Sequence, residues 1–185
     1  MVRMLIVRAA LTGLLIFQDL SAAELSGPAP VSQTAMGHAG GQVQPLADAP
    51  DFSRMDISGH EIRLSHYRGR VVLLSFWATW CEPCRAEAPR FSAWQQLYGS
   101  RGLQVLGISM DDDLQPVLEF VHRFQLRYPI ALGDAELGEL FGGVLGLPLA
   151  YLIDPAGRIV ARYRGEPDLN EMENAIRALL PAAIR

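Results

Sequence analysis

Cys81 and Cys84 are the whole thiol inventory of this 185-residue chain, and they stand together as Cys81-Glu82-Pro83-Cys84. The apolar run before them ends in Phe76-Trp77, and a helical pattern begins at Cys84, so the pair sits where a strand gives way to a helix. A sulfur at a helix N-terminus meets free N–H groups and partial positive charge, which favour its thiolate. The thiolate is the nucleophile of disulfide exchange, and a second thiol one turn further on can reach back and resolve the mixed disulfide. Pro83 suits the first helical turn, where its missing N–H has no intrahelical partner. Glu82 places a carboxylate beside the nucleophile, which opposes the Cys81 thiolate and raises its pKa. Strong disulfide oxidants work the other way, by stabilising the reduced state. The sequence therefore leans to a reductant.

Other uses of two cysteines are weaker or remain as alternatives. A cross-link closing a four-residue loop stabilises by only about 2 kcal/mol, against about 4.7 for a hundred-residue loop. Zinc would need two more ligands, and His38, His60, His66 and His122 lack the close pairing of zinc-finger spacing. Haem attachment asks for histidine after the second cysteine, where Arg85 stands. A disulfide oxidase and a copper-handling module without turnover stay open as alternatives. The expected cofactor is none beyond the cysteine pair itself, with no metal. Asp111-Asp112-Asp113 reads as a solvated helix cap rather than a metal cage.

The elements that must hold the pair follow from hydrophobic patterning. Half of the residues are hydrophobic and 19% are charged, enough for a sizeable core. A net charge of −4 argues against nucleic acid as a partner. Residues 1–23 have a basic start, an apolar stretch from Ala9 to Phe17 and Ser21-Ala22-Ala23 before Glu24, the layout of a secretory signal peptide or an uncleaved anchor. Its removal leaves 14 basic against 19 acidic residues. Residues 24–48 are rich in glycine and proline, as in a flexible linker. From 49 to 185 strand and helix alternate. Phe52 to Asp56 and Glu61 to Leu64 flank Ser58-Gly59 as an N-terminal hairpin, and Val71 to Trp77 and Leu103 to Met110 are buried strands. Helical faces are expected from Phe91, Trp94, Leu97 and Tyr98, and from Val117, Leu118, Val121 and Phe124. A strand at Pro129 to Leu132 and a short helix at Glu136 to Phe141 come next. Strands at Leu149 to Ile153 and Ile159 to Tyr163, then a helix from Leu169 to Leu180 capped by Asp168, complete an α/β chain with a mixed sheet.

With these motifs in order, the chain resembles the TlpA/ResA-like exported thiol–disulfide oxidoreductases of thioredoxin fold. The resemblance rests on Phe76-Trp77-Ala78-Thr79-Trp80-Cys81-Glu82-Pro83-Cys84, on Arg85-Ala86-Glu87-Ala88-Pro89, and on Gly146-Leu147-Pro148-Leu149-Ala150-Tyr151-Leu152-Ile153-Asp154. It covers about Ala49 to Gly165 and implies a central mixed β-sheet flanked by helices, with an N-terminal β-hairpin extension. It further implies Cys81 as nucleophile, Cys84 as resolving thiol and Pro148 as a cis-proline beside them. The Leu147 backbone would then pair with an extended substrate segment, and Trp80 would form a contact surface. Pro89 matches a kink proline of the active-site helix.

Departures from thioredoxin itself are informative. Ser75 stands where thioredoxin has a buried aspartate, so the usual proton acceptor behind the second cysteine is missing. Glu87 matches an acidic residue of the TlpA/ResA-like group and offers a replacement acid–base group for Cys84; the alternative is a glutamate held merely by the helix dipole. Leu149 replaces a frequent threonine, which implies a more apolar substrate groove. The expected protein is a periplasmic reductant, monomeric, possessing no nucleic-acid partner. Its expected clients are protein disulfides of apocytochrome c CxxCH segments or copper-site cysteines. A membrane electron donor of the DsbD or CcdA type would restore its electrons.

Overall fold

The computed structural model describes residues 46–182. The expected leader at 1–23 and residues 24–45 of the expected linker lie outside the described residues. In chain order the elements are β1 (Ala47–Asp48), β2 (Ser53–Met55), β3 (Glu61–Arg63), β4 (Val71–Trp77), α1 (Glu82–Tyr98), β5 (Leu103–Ser109) and α2 (Leu114–Phe124). They continue with β6 (Ile130–Leu132), α3 (Ala135–Leu140), β7 (Leu149–Ile153), β8 (Arg158–Arg164) and α4 (Leu169–Leu179).

Six strands form one mixed sheet in the order β1-β8-β7-β4-β5-β6, and β2 with β3 makes the separate N-terminal hairpin. The β4, β5 and β6 strands run parallel, whereas β7 pairs antiparallel with both β4 and β8. The β4 and β5 strands are buried along their whole length, which is why their apolar runs show little alternation. Alternation still decides which face each side chain serves. Val71, Leu73 and Trp77 pack with Phe91, Trp94, Val117, Phe120, Met172 and Ile176 from α1, α2 and α4. Val72, Leu74 and Phe76 pack on the other face with Phe52, Ile62, Leu137 and Phe141 from the hairpin and the α3 region. This is the mixed, helix-flanked sheet with an N-terminal hairpin that the motifs imply.

Two helical faces differ from expectation. Leu97 is exposed in α1, where the buried stripe runs through Cys84, Glu87, Ala88, Phe91, Trp94 and Tyr98. In α2, Val117 and Phe120 are buried while Leu118 is exposed. Each exposed leucine lies about 100° of helical turn from a buried neighbour, so apolar type alone misassigns it. The aspartate run also divides. Asp113 occupies the N-cap position of α2 without a side-chain cap bond, whereas Asp111 is buried rather than solvated. At the last helix the expectation and the structure agree: Asp168 accepts from the N–H groups of Asn170 at 2.8 Å and Glu171 at 3.3 Å.

Candidate active site

The cysteines sit where the central strand β4 hands over to α1, the longest helix among the described residues. After Trp77 the chain leaves β4, crosses Ala78-Thr79-Trp80, and enters α1 with Cys81 in the extended N-cap conformation. The Cys81 N–H donates to the Ala78 carbonyl at 3.2 Å, and the Cys81 carbonyl accepts from the Arg85 N–H at 3.3 Å. Cys81 and Cys84 are joined as a disulfide, with their Cα atoms 5.3 Å apart. The Cys84 N–H also points at the Cys81 Sγ, 3.4 Å away. An N-cap sulfur aimed at helical N–H groups is poised to hold negative charge once the disulfide opens. Pro83 lies in the first turn. Among the described residues no group of three or more histidine, cysteine, aspartate or glutamate side chains could hold a metal ion.

The two acidic neighbours of the pair have opposite environments. The side chain of Glu82 is 86% exposed, with an Oε2 3.4 Å from Arg85 Nη1. Water and the guanidinium both screen its charge, so its opposition to the Cys81 thiolate is weaker than the linear sequence implies. Glu87 falls on the buried stripe of α1, one turn beyond Cys84, and is only 4% exposed. Residues three apart share a helix face, so its carboxyl lies on the side of Cys84. Burial, with a smaller contribution from the negative charge of Glu166, pushes its pKa up to about 7. One of its oxygens, Oε1, is buried without a hydrogen-bond partner. A dipole-favoured residue of the first turn would be solvated; Glu87 is the sixth helical residue and is not.

The surrounding strands complete the floor. Ser75 is buried and, by alternation with Leu73 and Trp77, faces α1. It lies opposite Gly107 of β5. A Cβ at Gly107 would come within 3.0 Å of Trp77 Nε1 and of Tyr128 Cε2, so the missing side chain makes room for both rings. Tyr128 is buried, and desolvation together with the nearby Glu87 charge raises its pKa strongly. Nothing in their sequence context singles out Tyr128 or Glu166, since each approaches Glu87 only through the packing of distant segments.

On the opposite flank, the Leu147–Pro148 peptide bond is cis. Leu149 pairs with Phe76, so Pro148 lies level with the end of β4 from which the cysteine loop springs. Leu147 is half-buried against the core cluster that contains both cysteines. Trp80 is 69% exposed beside Cys81. Leu149, expected to make a substrate groove more apolar, packs in the core with Phe76 and Tyr151 and, together with Leu147, also lines a surface cavity. The structure thus brings Cys81, Cys84, Glu87, Trp80, Leu147 and Pro148 to one end of the sheet.

Sequence reasoning misses Asp111 and Thr79. The Asp111 carboxylate accepts from the Thr79 N–H at 2.9 Å, the Thr79 Oγ1 at 2.5 Å and the Ser109 Oγ at 2.7 Å. A separation of 32 residues between Thr79 and Asp111 leaves no local signal.

Comparisons with known proteins agree with this geometry. The AhpC/TSA family profile matches residues 45–162. The thiol-disulfide oxidoreductase ResA of Bacillus thuringiensis is 31% identical over 136 residues, covering 72% of this chain and 78% of that protein. ResA of Geobacillus kaustophilus is 34% identical over 133 residues, covering 72% and 76% respectively. Among solved structures, a thiol:disulfide interchange protein of the thioredoxin family from Chlorobium tepidum superposes with a TM-score of 0.68 at 26% identity, covering 75% of this chain and 99% of that one.

Proposed function

Because the chain belongs to the AhpC/TSA family, as a ResA-like thiol–disulfide oxidoreductase of thioredoxin fold, we propose that it is a periplasmic reductant of protein disulfides. In this reading the Cys81 thiolate attacks one sulfur of a target disulfide. A Cys81–target mixed disulfide forms, and the first target sulfur leaves as a thiolate that takes up a proton. Cys84 then gives its proton to Glu87 and attacks the Cys81 Sγ. The mixed disulfide breaks, the second target sulfur leaves, and Cys81–Cys84 becomes the disulfide. Two electrons have passed from the protein to its target.

The observation that carries this reading is Glu87, a buried carboxyl with a pKa near 7 on the face of Cys84. A group poised near neutrality can take the Cys84 proton and return it when the pair is reduced again. Once ionised, its buried negative charge opposes a Cys84 thiolate, which disfavours thiolate in the reduced form. Strong oxidants do the reverse. The direction therefore rests on Glu87 more than on Glu82.

Residues 1–23 supply the export signal in this proposal, and an uncleaved leader would tether the domain to the membrane facing the periplasm. Leu147 offers its backbone to an extended target segment beside the cis Pro148, and the exposed Trp80 supplies a contact surface. Apocytochrome c CxxCH segments and copper-site cysteines are the proposed clients. A membrane protein of the DsbD or CcdA type is the proposed donor that reduces Cys81–Cys84 again.

The test is to replace Cys84 with alanine in the full chain and trap mixed disulfides on Cys81 in the cell envelope. Exported apocytochromes or copper-site proteins should be attached. Capture of only unrelated exported proteins that need net disulfide formation would overturn the client assignment. A Cys81–Cys84 potential near the value of about −120 mV typical of a strong oxidant would overturn the direction.

A further inference from the structure

The loop between β4 and α1 must hold Cys81 in place without a regular element of its own. Its Ala78–Thr79 peptide unit does so from both ends. The carbonyl of that unit accepts the Cys81 N–H at 3.2 Å. The N–H of the same unit donates to Asp111 Oδ2 at 2.9 Å, and the Thr79 hydroxyl donates to Asp111 Oδ1 at 2.5 Å. Asp111 is itself 8% exposed and is steadied by Ser109, whose Oγ donates to Oδ2 at 2.7 Å and accepts from the Asp111 N–H at 3.2 Å. The Met110 N–H donates to the Trp77 carbonyl at 2.7 Å, which ties the end of β5 to the start of the same loop.

We propose that Asp111 is a positioning residue, whose carboxylate grips the Ala78–Thr79 peptide and through it sets the backbone position of the nucleophile Cys81. An amide unit hydrogen-bonded at both ends is polarised, so a carboxylate on its N–H strengthens its carbonyl as an acceptor. Charge-assisted bonds of this kind are roughly twice as strong as neutral ones. The grip thus fixes the peptide plane that orients the Cys81 N–H. It also places a buried negative charge beside the N-terminus of α1, where it opposes thiolate formation. The inference rests on Cys81 and Cys84 being the reacting pair, but not on the direction of electron flow or on the client.

The test compares full-length wild type with Asp111→Asn, Thr79→Val and Thr79→Ser. Two quantities are read: the equilibrium of the Cys81–Cys84 couple with a glutathione redox buffer, and the rate of attack of the reduced protein on an oxidised CxxCH peptide. Asn keeps the shape but offers one oxygen where three donors now converge. The Asp111→Asn equilibrium should move about fivefold toward the dithiol, or about 20 mV at about 30 mV per tenfold. Its rate of attack should fall about tenfold through looser placement of the nucleophile. Thr79→Ser keeps both bonds and should match wild type. Thr79→Val keeps the Asp111 charge but loses the hydroxyl bond, so its equilibrium should stay within about twofold of wild type while its rate of attack falls about threefold.

A folded Asp111→Asn protein with wild-type equilibrium and wild-type rate of attack overturns the proposal, whatever happens to its thermal midpoint, because Asp111 would then be structural only. Should Asp111→Asn fail to fold, Thr79→Val decides, and a wild-type rate of attack there overturns the proposal equally. Failure of wild type to reduce any client disulfide would sink the proposed function, yet the redox equilibrium would still report on Asp111.

Discussion

Two glutamates of one helix, five residues apart, meet opposite fates. Glu82 opens α1, stands in water and faces Arg85. Glu87 lies on the stripe that faces the sheet and has its pKa raised to about 7. Sequence distance to the cysteines would give Glu82 the larger influence, since it follows Cys81 directly. Burial reverses the order. A charge in water is weakened by the high dielectric constant and screened within about 10 Å at 0.1 M salt, whereas the same charge under the sheet alters both proton binding and stability. The lesson is that proximity along the chain ranks acids poorly until their desolvation is known.

That contrast can be broken most sharply by stability. Folding raises the Glu87 pKa from 4.5 to about 7, so within that window the folded protein holds a proton that the unfolded chain has released. Ionised Glu87 therefore costs stability, a cost that is absent below about pH 4.5, grows up to about pH 7 and is complete above it. Glu87→Gln should be more stable than wild type by up to about 3 kcal/mol at pH 8, and the gain should vanish near pH 4. Denaturant titrations at the two pH values measure it. An equal gain at both would show that the buried charge is not its origin.

The same variant should be a poorer enzyme. Without a group to take the Cys84 proton, release of the mixed disulfide should slow about 100-fold near pH 7. The first attack by Cys81 should stay within about threefold of wild type, because that step does not use the Cys84 proton. Quenched-flow trapping with thiol labelling separates the two steps, and equal slowing of both would break the assignment of Glu87 to Cys84. The smallest effect belongs to Glu82→Gln. With its charge in water and shared with Arg85, replacement should change stability by less than about 0.5 kcal/mol and turnover by less than about threefold. A larger change, read by the same assays, would restore Glu82 to the role that the bare motif suggests.

Much of this site is legible in the amino-acid order. The cysteine spacing, the Pro83 position, the β4 run and the helical stripe after Cys84 are local patterns, and each sits where the pattern indicates. Glu87 stands out by its place after the cysteines, yet its burial is not visible in residue type. The hydrophobic repeat misassigns Leu97 and Leu118, because a leucine at the edge of a stripe reads the same as one at its centre. Asp111 reads as part of a solvated cap since three successive aspartates look like one feature. Only the pairing of β4 with β5 carries the first of them under the cysteine loop.

The amino-acid order by itself determines that two sulfurs one helical turn apart can bridge, since that reach depends on backbone geometry within four residues. It also determines the alternating elements that bury a sheet on both faces. The tertiary structure alone decides which charges surround those sulfurs. The surroundings of Glu87 and Asp111 are made by segments tens of residues away: the Glu166 charge helps raise the Glu87 pKa, Tyr128 feels the Glu87 charge, and Thr79 donates to Asp111. Bridging is a short-range property of the chain, whereas an electrostatic environment is a property of everything packed around it.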